Sequence, residues 1–380
     1  MRIGYDGKRA VNNLTGLGNY SRLVVESLAR RFPDETLIMY APAARNNPRL
    51  APLLELPNVE LRLPEGNGIL SKGAVWRTFS IPRQLRNDRI DLFHGLSNEL
   101  PLTIRNYGIP SVVTIHDLIY RRLPECYTLP DRLIYDFKYG MSCRIADRII
   151  AISECTKADI VDLYRIDPGK IDVVYQGCAD SFKRPAPQHT LKTTREKYRL
   201  PKRYVIQVGT IEMRKNLELT VKAMQTLPGD VHLVAVGKDR GYLSRVRKIA
   251  AQCGVAGRLH ILSDVPFSEL PALYQQSSAV AYPSRYEGFG IPVLEGLESG
   301  KPVVAATGSC LEEAGGEAAF YVNPDNPREM AEALRTALTE SPALVSRIAV
   351  GKRHASRFNN ADVASKVADV YARTLRATGQ

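Results

Sequence analysis

Two glutamates eight residues apart, Glu287 and Glu295, lie in the part of the sequence that is best suited to hold a ligand. A short apolar run, Ala279–Tyr282, precedes them and has the composition of a buried strand. Gly290 would let bare backbone approach a ligand, and Pro292 suits the first turn of a helix. Carboxylates beside the N–H groups of a helix N-terminus could hold sugar hydroxyls or phosphate oxygens. On composition alone, two solvated surface charges are the alternative.

A basic pair follows the first strand that is predicted in the second half of the chain. Arg214 and Lys215 come after Gly209 and Thr210, and Asn216 could cap the helix that begins next. Arginine offers a fork to paired oxygens, whereas lysine acts as a point charge. The segment therefore predicts a place where phosphate charge is neutralised.

Polar side chains also end a strand in the first half. The strand predicted at residues 111–115 is followed by His116 and Asp117. In open α/β sheets the carboxyl ends of the strands border the ligand site. His116 and Asp117 therefore border the predicted ligand site, and Asp117 could orient the ring of His116. From the residues alone, a single histidine is usually structural. His94, at the end of another strand, is predicted to be structural.

A short glycine motif opens the first long helix of the chain, at Gly16, Leu17 and Gly18. Two glycines at this spacing are weak evidence, because the third glycine and the downstream acidic residue of a dinucleotide fingerprint are missing. A binding loop and a plain tight turn are both open from the residues alone.

Strand and helix patterns alternate along the chain, which indicates mainly parallel, doubly wound sheets. The strands are predicted at residues 2–5, 36–41, 59–63, 91–94, 111–115, 148–152, 172–175, 204–208, 232–236, 260–262, 279–282 and 303–305. The helices are predicted at residues 19–31, 131–145, 154–165, 217–227, 241–252, 268–276, 292–299, 327–339 and 361–376.

Composition indicates a globular protein without a membrane span. With 44% hydrophobic and 24% charged residues the chain resembles ordinary folded domains, and no run approaches the roughly 18 apolar residues that cross a bilayer. The first residues lack the apolar region of a signal peptide, so a cytoplasmic protein is expected. The six cysteines have no C-x-x-C spacing and are expected to be free thiols.

The formal charge of +12 calls for an anionic partner. No nucleic-acid-binding motif is visible, so an anionic inner-membrane surface or a phosphate-bearing substrate fits better. A basic stretch at residues 72–89 carries the only tryptophan, Trp76, and could lie on a membrane interface. The alternative is a helix whose apolar side packs in the core.

The region around the two glutamates resembles a known motif. The segments Glu-Gly-Phe-Gly-Ile-Pro, Leu-Glu-Gly and Ser-Gly-Lys-Pro-Val-Val are similar to the donor site of the retaining family 4 glycosyltransferases. In that family the motif is Glu, seven residues, Glu, and Glu287 and Glu295 match it. The resemblance implies the GT-B fold, in which two Rossmann-like domains face each other across a cleft.

The resemblance also implies roles for single residues. Glu287, with the backbone N–H groups of Phe289, Gly290 and Ile291, would hold the donor sugar. Glu295 would bind the ribose hydroxyls of the nucleotide.

The basic pair matches the donor-phosphate segment of the same family. Lys215 would contact the pyrophosphate of the donor, in the loop that contains Gly209 and Thr210. Many members have arginine where this chain has Thr210, and Arg214 would substitute for it.

In the first half, the resemblance places the loop of Gly16, Leu17 and Gly18 beside the donor phosphates and the acceptor. It places His116 in contact with the transferred sugar.

Three parts of the chain are predicted. Residues 1–183 would form an acceptor domain onto which a helix at 361–380 packs back, and residues 201–360 would form the nucleotide-sugar domain. The segment 184–200, rich in Pro, Lys and Thr, would be the linker.

The expected activity is a retaining hexosyl transfer in bacterial surface polysaccharide synthesis. GDP-mannose is the first expectation for the donor and a UDP-sugar the second, with a glycan or lipid-linked oligosaccharide as the acceptor. No Asp-x-Asp motif is present, so metal-independent transfer without a cofactor is expected. A nucleotide-sugar epimerase of the same fold, or a non-catalytic subunit that binds polysaccharide or lipid, is the alternative.

Overall fold

The computed structural model describes residues 1–44, 46–65 and 73–379. It divides into two compact units, the first formed by Met1–Gln176 with Asn359–Gln380 and the second by Gly177–Phe358. Each unit contains one parallel sheet, as the alternating pattern predicted.

The strands are short, and those at the centre of each sheet are buried along their length. They are β1 (Arg2–Asp6), β2 (Thr36–Tyr40), β3 (Val59–Arg62), β4 (Leu92–Gly95), β5 (Ser111–Ile115), β6 (Arg148–Ala151), β7 (Ile171–Val173), β8 (Arg203–Val208), β9 (Val231–Val236), β10 (Leu259–Leu262), β11 (Ala279–Tyr282), β12 (Val303–Ala306) and β13 (Phe320–Val322). The first sheet has the order β3-β2-β1-β4-β5-β6-β7, and the second has the order β10-β9-β8-β11-β12-β13.

Helices connect these strands. They are α1 (Lys8–Asn12), α2 (Gly16–Arg31), α3 (Ala51–Leu54), α4 (Gly73–Val75), α5 (Ile81–Asn87), α6 (Ile119–Arg122), α7 (Leu129–Ile145), α8 (Glu154–Tyr164), α9 (Gln188–Lys197), α10 (Leu217–Ala223), α11 (Leu243–Gln252), α12 (Leu270–Gln276), α13 (Ile291–Glu298), α14 (Leu311–Gly315), α15 (Pro327–Leu338), α16 (Pro342–Ala355) and α17 (Asn360–Thr378). In both sheets the order of the strands reverses direction beside the first strand, so the loops after the central strands meet at one edge.

The segment predicted to be a linker contains a helix and belongs to the second unit. Helix α9 is held to α12 by polar contacts, in which the Gln276 amide donates to the Thr194 hydroxyl at 3.0 Å and Arg195 Nε donates to Gln276 Oε1 at 3.0 Å. Because these contacts are polar, the segment shows little apolar periodicity. Its composition therefore resembled that of an irregular connection.

Several further elements have no counterpart in the predicted set, among them a strand, β13, and a long helix, α16. Strand β13 is only three residues long. Helix α16 does carry a start signal, since the Ser341 hydroxyl accepts from the backbone N–H of Leu344 at 3.1 Å and Pro342 occupies the first position.

The C-terminal helix α17 packs on α2 of the first unit and is fixed by a buried histidine. His94 Nδ1 is hydrogen-bonded to the Tyr371 hydroxyl at 2.7 Å, and His94 Nε2 to the Thr114 hydroxyl at 2.8 Å. Burial lowers the pKa of His94 to about 3, so its ring stays neutral. His94 therefore has the structural role that was predicted for it.

We expect Tyr371→Phe to destabilise the first unit by about 2 kcal/mol, because the variant leaves a buried ring nitrogen of His94 without its partner. Chemical denaturation measures the change. Tyr107→Phe is the control, since that half-buried ring packs against a hydrophobic cluster of the same unit. Equal stability of the two variants would contradict the expectation.

In the basic stretch the structure favours the core alternative. Trp76 is 3% exposed and belongs to the hydrophobic core. The Arg77 guanidinium is buried and pairs with Asp6 and Glu99, each at 2.8 Å. Lys72 lies outside the described residues. The tryptophan is therefore not placed to anchor this stretch on a membrane.

Candidate active site

The loop between β11 and α13 has the strand-loop-helix form that the sequence predicted. Helix α13 begins at Ile291 with Pro292 in its first turn. Gly290, just before it, has φ +113°, and a Cβ there would lie 2.7 Å from Leu311 Cδ2. Glycine is thus required both by the backbone conformation and by the neighbouring side chain. This conformation sets Glu287 at the carboxyl edge of the second sheet.

Glu287 is 8% exposed, and its carboxylate gathers four donors. Its Oε1 accepts from Lys215 Nζ at 2.5 Å, from the Ser284 hydroxyl at 2.5 Å and from the Tyr282 hydroxyl at 3.0 Å. Arg214 Nη1 lies 2.9 Å from the same oxygen. The structure thus joins the predicted acidic and basic parts of the site in one buried cluster.

The electrostatics of this cluster keep Glu287 ionised. Burial alone would raise its pKa, but the charges of Arg214 and Lys215 outweigh burial and lower the pKa of Glu287 to about 2. Burial lowers the pKa of the Lys215 ammonium, and the charge of Glu287 opposes that effect. The result is a desolvated ion pair.

The two basic residues are engaged differently. Arg214 donates to the Tyr286 carbonyl at 2.9 Å and to Glu212 at 2.7 Å, and so ties its own turn to the loop. Lys215 Nζ donates to Tyr282 and Glu287, which accounts for two of its three N–H groups. This leaves one N–H of Lys215 for a ligand. Arg214 is therefore the better candidate for positioning, and Lys215 for ligand contact.

The loop after β8 is shaped by close backbone contacts. Gly209 has φ +151°, and a Cβ on Gly237 would lie 1.9 Å from the Gly209 carbonyl oxygen. Thr210 follows and is half-buried. The Gln207 amide donates to the Lys215 carbonyl at 2.9 Å and fixes the far end of the loop.

The predicted capping role of Asn216 is wrong. Its side chain makes no capping bond to α10 and instead donates to the carbonyls of Pro283 and Pro324, at 3.2 and 2.8 Å. Asn216 has a left-handed backbone, with φ 55°, which asparagine tolerates better than most residues. Its amide thereby holds the β8 loop against the β11 loop.

Glu295 lies in a different setting from Glu287. It is 6% exposed and accepts from the Tyr274 hydroxyl at 2.8 Å. Burial raises the pKa of Glu295 to about 7, although the Tyr274 hydroxyl partly opposes the shift. The two glutamates of the motif thus have opposite pKa shifts, because Glu287 has cationic partners and Glu295 has a neutral one.

Glu295 should make the second unit less stable as the pH rises. Its pKa is raised in the folded state, so its stabilising effect is complete below its ordinary pKa of 4.5 and is lost as the pH rises through about 7. Glu295→Gln keeps an acceptor for Tyr274. We expect the Tm of this variant relative to wild type to increase between about pH 5 and about pH 8. Glu332→Gln, at an exposed position, is the control, and a constant difference would contradict the expectation.

Phe289 and Ile291 flank the glycine that starts α13. The Phe289 side chain is 2% exposed and packs edge-on against Phe358, with 5.3 Å between ring centroids. Its side chain therefore supports the loop. The predicted contact of backbone N–H groups with a donor sugar stays a prediction.

In the first unit, His116 follows β5 at the carboxyl edge of the sheet. Its Nε2 donates to the Leu96 carbonyl at 2.9 Å, and Tyr20 packs edge-on against the ring at 4.6 Å. Burial lowers the pKa of His116 to about 4, although the Leu96 carbonyl opposes the shift. The ring is therefore neutral, with Nδ1 as its acceptor nitrogen. Leu96 fixes the ring, whereas Asp117 accepts from the Ile119 backbone N–H at 3.2 Å.

The glycine motif opens α2, and its two glycines differ. A Cβ on Gly18 would lie 1.9 Å from the Asn13 carbonyl oxygen, whereas a Cβ on Gly16 would meet nothing within 4 Å. Gly16 is exposed and Leu17 is half-buried. Close packing therefore explains why position 18 is glycine, whereas Gly16 lies at the surface without such a constraint.

Gly18→Ala should therefore destabilise the first unit, by roughly 2 kcal/mol or more, because the carbonyl it would meet belongs to the backbone. Gly16→Ala is the matched control two residues away and should change stability by less than about 0.5 kcal/mol. Thermal unfolding compares them. Similar Tm values for the two variants would show that the close approach is not what fixes Gly18.

Several contributors to the site were not predicted. Tyr282 and Ser284 bind Glu287, Tyr274 binds Glu295, and Gln207 fixes the Lys215 turn. Tyr282 was the most accessible to prediction, because it ends a strand just as His116 follows one.

Within the described residues, no three His, Cys, Asp or Glu side chains are grouped as metal ligands. None of the helices in the described ranges is long and apolar enough to cross a membrane.

Both units match known sequence families. Residues 14–181 match the family model described as Glycosyltransferase Family 4, and residues 192–354 match the one described as Glycosyl transferases group 1. Together the two matches extend over most of the chain.

Curated relatives are similar over most of their length. The O-antigen chain mannosyltransferase B of Escherichia coli is 28% identical over 335 residues, which cover 82% of this chain and 84% of that protein. The O-antigen chain mannosyltransferase RfbU of Salmonella typhimurium is 26% identical and covers 72% of this chain and 73% of that protein.

Solved structures agree on the fold. HepE from Anabaena, in complex with UDP, has a TM-score of 0.77 at 18% identity, covering 98% of this chain and 100% of that one. WaaG, a glycosyltransferase involved in lipopolysaccharide biosynthesis, has a TM-score of 0.72 at 17% identity, covering 97% of this chain and 99% of that one. The predicted GT-B fold is confirmed.

Proposed function

We propose, since this chain belongs to the glycosyltransferases of Family 4 and group 1, that it transfers a hexose from a nucleotide-diphosphate sugar to a hydroxyl acceptor with retention of configuration. The observation that carries the proposal is the buried cluster of Arg214, Lys215 and Glu287 at the carboxyl edge of the second sheet. It combines a cation suited to diphosphate with a carboxylate suited to sugar hydroxyls.

The cation serves the leaving group. When the bond between the anomeric carbon and the diphosphate oxygen breaks, negative charge grows on the diphosphate, and Lys215 Nζ stabilises it through its remaining N–H. Because Lys215 is already oriented by Tyr282 and Glu287, little reorganisation accompanies the reaction. In this proposal Lys215 does the work of a divalent ion.

The carboxylate serves the sugar. Glu287 is ionised, and the glycine-rich loop that carries it leads directly into the first turn of α13. Carboxylate oxygens and first-turn N–H groups together can accept from and donate to the hydroxyls of one hexose. The oxocarbenium character of the sugar in the transition state is also favoured by a nearby negative charge.

Retention follows from attack on the face that the diphosphate leaves. The acceptor oxygen forms the new bond to the anomeric carbon, and its proton passes to the departing phosphate oxygen. Atoms and charge balance without a protein base. Glu295 would bind the ribose, and His116, through Nδ1, would accept a hydrogen bond from a sugar hydroxyl.

The O-antigen mannosyltransferases among the relatives support GDP-mannose as the donor, and the UDP bound by HepE supports a UDP-sugar as the second choice. The same relatives support a glycan acceptor in surface polysaccharide synthesis. A lipid-linked oligosaccharide acceptor and a cytoplasmic location at the inner membrane face are further parts of the proposal. The epimerase and the non-catalytic subunit have no observation in their favour.

A thermal-shift screen of GDP-, UDP- and dTDP-sugars tests the donor. A ligand at 100 times its Kd should stabilise the fold by about 2.7 kcal/mol. Lys215→Met is the matched comparison, because the loss of one contact to the diphosphate should reduce the shift for the true donor. A chain that no nucleotide sugar stabilises, or that consumes the donor without forming a glycosylated product, would refute the proposed transfer.

A further inference from the structure

Helix α7 presents an apolar face away from the protein. Four of its large side chains are 51–63% exposed: Leu129, Leu133, Ile134 and Phe137. Their spacing of four, five and eight residues places them on one side of the helix. An ordinary surface helix has the opposite arrangement, with polar residues outward.

The border of this α7 face is aromatic and electrically balanced. Tyr127 and Tyr135 are half-buried beside it, with 6.2 Å between their ring centroids. Asp131 is bound to the Thr128 hydroxyl at 2.7 Å, and Asp136 pairs with Arg121 at 3.5 Å. The acidic side chains of the first half of α7 are thus engaged by donors of the protein. Half-buried tyrosines around an apolar patch are typical of surfaces that meet a membrane interface.

We propose that the α7 face docks on an anionic lipid bilayer. Four large side chains, each a little over half exposed, offer roughly 400 Å² of apolar surface. A stable protein interface needs about 800 Å² from each partner, so a second copy of the chain is a poorer fit. A bilayer needs no matching surface, and the formal charge of +12 favours one that carries anionic lipid.

The topology of the first unit gives this docking a purpose. Helix α7 follows the segment that leaves β5 at its carboxyl end and returns toward the start of β6. Its first half, which carries the exposed side chains, therefore lies toward the sheet edge that carries His116. The docking would bring a lipid-linked acceptor to that edge, and only this last step rests on the proposed function.

Vesicle binding tests the docking without donor or acceptor. Sedimentation with vesicles of phosphatidylcholine and phosphatidylglycerol compares wild type with the double variant Leu133→Ser/Phe137→Ser. We expect the partition coefficient of the double variant to fall at least tenfold. Val345→Ser is the matched control, because Val345 is 68% exposed on α16, and it should bind like wild type. Since all three positions are exposed, each variant should keep the wild-type Tm within a few degrees.

A fluorescent reporter gives a second readout. The only tryptophan of the chain is buried, so a new one at the surface is easily distinguished. Phe137→Trp should show a blue-shifted emission when vesicles are added, and Val345→Trp should not. The docking is refuted if the double variant partitions like wild type, or if the reporter at 137 does not shift. It is also refuted if the double variant only splits a dimer without weakening vesicle binding.

Discussion

Replacing Lys215 by methionine should lower kcat for sugar transfer by at least about 100-fold. Methionine keeps an unbranched stem against the Tyr282 ring, over which the ammonium now lies at 5.0 Å, but it removes the charge. Glu287 would keep Arg214, Ser284 and Tyr282 as partners, so the fold should survive. The loss therefore reports on the transition state, and steady-state kinetics with the donor found in the thermal-shift screen measures it.

Lys222→Met is the matched control for this prediction. Lys222 belongs to the next helix and is 42% exposed, and its nearest carboxylate, Glu218, is 3.9 Å away, so its loss should leave kcat unchanged. Arg214→Lys separates the two roles in the basic pair. It keeps a charge but loses the fork that holds the loop, so it should lower Tm more than Lys215→Met does and kcat less. If Lys215→Met retains kcat within tenfold of wild type, about 1.4 kcal/mol of barrier, Lys215 does not stabilise the leaving group.

The strands and helices that could be predicted are those with a dense apolar pattern. All five residues of β5 are buried, and its bounds were predicted as observed. The α9 segment was taken for a linker because its attachment to α12 uses side-chain hydrogen bonds, which leave no periodic signal. The three-residue β13 was not predicted, although β7, of the same length, was.

The site was predictable as a set of residues but not as a set of contacts. Spacing and resemblance identified Glu287 as a residue that would bind the sugar and Lys215 as a residue that would bind the phosphate. They could not show that the two side chains bind each other, because that depends on the register between the β8 and β11 loops. The Asn216 amide helps to set that register by donating to the carbonyls of Pro283 and Pro324. Its position just before a helix indicated a capping role instead.

The opposite pKa shifts of the two motif glutamates were also out of reach. Glu287 and Glu295 are equally buried, and sequence gives them the same character. Their difference comes from Arg214 and Lys215 at one and the Tyr274 hydroxyl at the other. Partners far apart in sequence therefore decide the direction in which the pKa of each carboxylate moves.

That difference makes Glu287→Gln the most damaging change in the site. The variant leaves Arg214 and Lys215 buried beside a neutral amide, and an uncompensated buried charge costs about 3 kcal/mol or more. We expect the second unit to lose roughly that much stability at neutral pH and transfer activity to fall at least about 100-fold. Denaturant unfolding at several pH values and kinetics below the new Tm measure the two effects separately.

The pH dependence shows whether the charge of Glu287 is the cause. The pKa of Glu287 is lowered from 4.5 to about 2, so its stabilising effect is present above about pH 4.5 and is lost as the pH falls toward 2. The stability gap between wild type and Glu287→Gln should therefore be constant near neutral pH and close in acid. Glu332→Gln, at an exposed position, should show no such closing gap. A gap that persists unchanged at low pH would mean that the amide disturbs packing, and that the ion pair with Lys215 is not what holds the two loops of the site together.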